Sequence, residues 1–128
     1  MKNVVEIHSE HIELLSDIRF YNNEIDFLLR LINGEYKCAF SSREKIKALD
    51  AYYIEFEKYK SKLERLGKEI EEHENLLSWF CKEDLVDVEK THLKDEKEIF
   101  NYYYQIIKEL KVLKESLYNF ISDLHKSV

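Results

Sequence analysis

Residues 71–92 read EEHENLLSWFCKEDLVDVEKTH, and they decide whether the chain is one long rod or a folded hairpin. Long runs with helical periodicity lie on both sides, and neither glycine nor proline separates them. The apolar phase does. Upstream, Ile70, His73, Leu77 and Phe80 follow at three- and four-residue steps, the spacing of a single helix face. Continued, that phase falls on Asp84, Asp87 and Thr91, all polar, whereas apolar residues resume at Leu85 and Val88. Asp84 also suits an N-cap, with Asp87 adding negative charge in the first turn. The stretch therefore predicts a tight turn near residues 82–85 between helices at about 42–81 and 86–126.

Composition points the same way. The 128 residues suit one domain with a modest core, and 45% are hydrophobic against 36% charged. No proline and two glycines are present, too few for the turns of an all-β or alternating α/β fold. No apolar run approaches the roughly 20 residues that cross a bilayer, so no membrane partner is expected. The opening MKNVVEIHSEHIELL lacks the apolar block and small-residue cleavage site of a secretory signal, which predicts a cytoplasmic protein. The net charge of −6 offers no basic face for phosphates, so no nucleic acid is expected. Cys38 and Cys81 would sit about 60 Å apart at opposite ends of one helix, too far for a disulfide.

The first helix is expected over 4–33. Ile7, His11, Leu14, Ile18, Tyr21, Ile25, Leu28 and Ile32 alternate steps of four and three, an unbroken heptad stripe. Phe20, Phe27 and Leu31 form a second line about 100° away, wide enough to pack against two neighbours. Gly34 is placed to end this helix in the left-handed C′ conformation. Residues 34–41 then connect to a capping box of Ser41 and Glu44. The second stripe is Ile46, Leu49, Tyr53, Phe56, Tyr59, Leu63, Leu66, Ile70, His73, Leu77 and Phe80. The third is Ile99, Tyr103, Ile106, Leu110, Leu113, Leu117, Phe120 and Leu124, and its phase runs back through Glu96, His92, Glu89 and Leu85.

These stripes predict an all-α, antiparallel three-helix up-down bundle with coiled-coil-like heptad packing, a single domain over 1–128, completed by dimerisation where a second copy docks. The first helix is the shortest, so the far tip of the hairpin is expected to stand uncovered. It would present Leu76, Trp79, Phe80, Leu85 and Val86 to a second copy or to another helical protein. This makes a non-enzymatic interaction or assembly module the leading expectation.

A metal-binding bundle is the alternative. A turn centred between residues 82 and 83 would set Glu69 and His73 across from His92 and Glu96. Two such i,i+4 pairs carry the donors that a divalent transition metal takes. Only one Glu-x-x-His, Glu89 with His92, is present, where a di-iron carboxylate bundle needs two. His8 and His11 form a second cluster near the N-terminus, with Glu6, Glu10 and Glu13. The expected register puts His11 beside Glu64, roughly 14 Å from His73, and solvated histidines are the expectation there.

Nothing favours catalysis by a nucleophile. Cys38 has Lys37 and Arg43 nearby but no histidine, and no glycine-rich loop or strained serine turn is present. Arg19 and Arg30 fall outside the apolar stripe, so no buried cationic cluster awaits an anionic substrate. Of the consecutive Tyr102, Tyr103 and Tyr104, only Tyr103 is in phase with the core.

Overall fold

The computed structural model describes residues 4–40, 42–83 and 88–126, with side chains described for all of these except 4, 79–83, 88–95 and 124–126. Every described element is helical, and three helices are long. Helix α1 spans Val4–Leu31, α3 spans Arg43–Glu83 and α4 spans Val88–Lys126. Between α1 and α3 lie a π-helical segment, Ile32–Tyr36, and a short α2, Lys37–Ala39. No described helix is long and apolar enough to cross a membrane.

The stripes read from the sequence form the core. On α1, Ile7, His11, Leu14, Ile18, Ile25 and Leu28 are buried and Tyr21 is partly so, and Ile32 at the start of the π segment continues the stripe. On α3, Leu49, Phe56, Leu63, Leu66, Ile70 and Leu77 are buried. On α4 the buried set includes Ile99, Tyr103, Ile106, Leu110 and Leu117. Burying such side chains stabilises by about 1.5–3 kcal/mol each, and that gain holds three polar-surfaced helices together. Tyr103 is buried while Tyr102 and Tyr104 are exposed, as the phase requires. Helix α3 is described to Glu83 and α4 from Val88. Residues 84 and 85 of the expected turn, and with them the Asp84 cap, Leu85 and Val86, lie outside the described residues.

The first connection differs from the sequence expectation. Gly34 does not end the helix: the chain stays helical through it and continues to Ala39. A π turn closes i→i+5 hydrogen bonds and takes in an extra residue. That extra residue absorbs the four-residue steps from Ile32 to Tyr36 to Phe40, both of which pack against the core. The chain becomes extended at Phe40 (φ −121°, ψ 125°). Helix α3 then opens with the Ile46 amide donating to the Ser42 carbonyl at 3.1 Å. Ser41 of the expected capping box lies outside the described residues.

This longer first arm resets the register. His11 meets Glu74, the Ile18 side chain lies against Gly67, Asp26 meets Lys60, and Lys37 meets Asp50. The two numbers of each pair add to 85–87, so the start of α1 comes level with about residue 81 of α3. The expected overhang of the hairpin beyond the first helix is therefore corrected: α1 keeps pace with α3 almost to its end. Between α3 and α4, Tyr59 donates to Glu109 at 3.3 Å and Tyr52 bonds Ser116 at 2.6 Å.

Candidate functional site

Near the start of α1 the three long helices exchange a chain of polar contacts. His11 stands in the core stripe of α1 and is completely buried, with 0% of its surface exposed. Its Nδ1 lies 2.5 Å from Oε1 of Glu74 on α3. Its Nε2 faces Oε1 of Glu96 on α4, itself only 3% exposed. The other Glu74 oxygen is 2.6 Å from Nδ1 of the exposed His8. The His73 ring lies edge-on to His11, with centroids 6.4 Å apart.

A carboxylate oxygen only accepts, so both ring nitrogens of His11 can bond only as donors. With both nitrogens donating, the imidazole is an imidazolium. Burial by itself pushes the His11 imidazole down, but the hydrogen bonds and negative charge of Glu96 and Glu74 outweigh it and hold His11 above the ordinary histidine value. Glu96 Oε2 is buried and receives no hydrogen bond from a described residue, so the contact with His11 carries much of the compensation for burying that carboxylate.

The candidate ligands from the sequence are distributed differently. Glu96 is buried and turned to His11 of α1, not across to Glu69. Glu69 is exposed and lines a cleft with Arg65, His73, Glu98 and Tyr102. His73 is partly buried beside His11, and the His92 side chain lies outside the described residues. Among the described residues, no three or more His, Cys, Asp or Glu side chains group so as to hold a metal ion. The separation expected between the two histidine clusters is corrected: the register brings His11 to His73. His11 is core, not a solvated terminal residue. Of the expected contact residues at the tip, Leu76 is exposed. The side chains of Trp79 and Phe80 lie outside the described residues.

Beside this cluster an open groove of about 1140 Å³ runs between α1 and α4. Leu14, Tyr21, Phe100, Tyr103 and Ile107 contribute its apolar surface. Glu10, Glu13 and Asp17 line it from α1, and Lys97 and Lys111 line it from α4 beside Glu96, whose carboxylate is paired with His11. Side chains bridge it at three levels, from His11 to Glu96, from Tyr103 to Asp17 at 3.3 Å, and from Lys114 to Glu24. Burial and the neighbouring Asp17 charge push the Tyr103 phenol well above its ordinary value, so it stays a neutral donor. Tyr104 lines this groove, and other large aromatics are exposed elsewhere on the same two helices. Phe20 and Phe27 are 61% and 53% exposed on α1, and Tyr104 and Tyr118 are 63% and 49% exposed on α4. Of the second apolar line of α1, Leu31 packs against the core, whereas Phe20 and Phe27 stay exposed.

No protein-family model matches the chain, and no curated protein or solved structure is similar enough to lend it a function.

Proposed function

We propose that the chain is a non-enzymatic helical-bundle module for interaction or assembly in the cytoplasm. The antiparallel up-down arrangement with heptad packing is part of this reading, supported by side-chain pairs whose numbers fall along α3 as they rise along α1 and α4. The observation that carries the proposal is the set of exposed aromatics on the two helices that form an open groove, Phe20 and Phe27 on α1 and Tyr104 and Tyr118 on α4. Aromatics of this size gain when an apolar surface covers them, and they are enriched at protein interfaces. This reading sets the contact surface on the α1/α4 face; of the expected hairpin-tip residues only the exposed Leu76 has a described side chain.

Sedimentation equilibrium over a concentration series tests the proposal. A mass that rises with concentration, and that Phe20→Asp with Phe27→Asp returns to the monomer value while helicity is kept, supports it. A strict monomer at high micromolar concentration sinks self-association as the function.

A further inference from the structure

The occupant of the groove can be named from its charges and symmetry, taking the assembly reading as its basis. The seven-residue spacing puts Glu13, Phe20 and Phe27 along one line of α1, and Lys97, Tyr104, Lys111 and Tyr118 along one line of α4. The bridges from His11 to Glu96 and from Glu24 to Lys114 set the relative heights. Glu13 is level with about Lys97, Phe20 with the Tyr104–Lys111 interval, and Phe27 with the neighbourhood of Tyr118. The acid of one helix is therefore level with the base of the other at Glu13 and Lys97, and exposed aromatics follow on both helices beyond that level.

Two copies with aligned helices can set groove on groove in two ways, because the two-fold axis runs either along the helices or across them. An axis across the helices stacks α1 on its own copy, running antiparallel, and α4 on its own copy, so an acidic wall faces an acidic wall and lysines face lysines. An axis along the helices stacks α1 on the partner's α4, which joins the acidic wall to the lysines twice over. We propose that the groove takes a second copy of this chain in the second way, as a parallel two-fold dimer in which the acidic wall of each α1 covers Lys97 and Lys111 of the other's α4. From Glu10 to Phe27 the α1 wall runs about 25 Å at 1.5 Å per residue, and two helices are about 20 Å wide. The covered area is then roughly 500 Å² per partner, near the lower limit for a specific interface. A dissociation constant in the micromolar range is expected.

The experiment uses the full chain. Glu13 and Lys97 are exposed, so E13K and K97E are expected to keep wild-type helicity by circular dichroism. Each variant alone should dimerise at least ten-fold more weakly in sedimentation. An equimolar mixture should recover wild-type affinity, because the heterodimer restores both acid–base contacts. Cys38 is exposed beyond α1 and reports the orientation once Cys81→Ser leaves it the only thiol. Spin labels on Cys38 should lie within about 35 Å in the parallel dimer, against about 60 Å when the axis crosses the helices. A wild-type dimer that neither charge variant weakens, or labels at the longer distance, overturns this arrangement and leaves assembly through another contact standing. A monomeric wild type removes both the arrangement and the self-association it rests on.

Discussion

Nδ1 of His11 lies 2.5 Å from Oε1 of Glu74, a contact that ties the first turns of α1 to the far end of α3. With Glu96 on the other nitrogen, it ties α4 to the same point. In the unfolded chain His11 titrates near 6.5, and in the fold it is raised. The folded state thus keeps a proton that the unfolded state releases. The stability gained is full below about pH 6.5 and is lost as pH rises through the folded value. Urea denaturation should show a lower midpoint at pH 8.5 than at pH 6. A wild-type midpoint that does not move would refute the assignment.

His11→Leu removes the one described partner of a buried carboxylate, Glu96. Breaking such a pair from one side costs about 3–5 kcal/mol, and the loss should be greatest near pH 6. The double variant with Glu96→Leu should recover much of it, since the buried charge goes too. A double-mutant cycle in urea gives the coupling. An additive result would show the two residues to be energetically independent.

Gly34→Ala separates the observed helix from the expected left-handed stop. In a helical conformation with no atom within 4 Å of an added Cβ, alanine should stabilise by about 0.5–1 kcal/mol. In a left-handed C′ site it would cost about 1–2 kcal/mol. The sign of the shift in melting temperature decides between them.

Gly67→Ala in the middle of α3 should also stabilise, by about 1 kcal/mol. Its new methyl would meet Ile18 Cγ2 at 3.9 Å and Leu15 Cδ2 at 4.0 Å, ordinary contact distances. A loss of stability instead would mean that α1 and α3 approach more closely here than this register allows.

Phe56 and Phe20 offer a contrast of core with surface. Phe56 is fully buried, and Phe56→Ala should cost about 3–5 kcal/mol. Phe20→Ala on the exposed surface should change monomer stability by no more than about 0.5 kcal/mol, while weakening dimerisation. Chemical denaturation at low protein concentration measures both without interference from assembly.

The core was legible because helical phase is a local property. Each stripe needs only the 3.6-residue period and a count along the chain, and His11 and Glu96 already stood at core phase in that count. Their meeting was not legible, because it depends on the length of the arm that turns. A glycine permits a left-handed stop but does not impose one. Tyr36 and Phe40, following Ile32 at four-residue steps, were the available signal that the first arm continued. Moving the turn by about five residues shifts each α1 residue about ten places along α3, which carries His11 from the level of Glu64 to that of Glu74.

The sequence by itself determined that the described elements are helical and which face of each long helix is apolar. These follow from periodicity and from the scarcity of glycine and proline. Tertiary structure decided which polar groups meet in the core and which aromatics are left outside it. Those depend on the register between helices, and a π turn of a few residues sets that register.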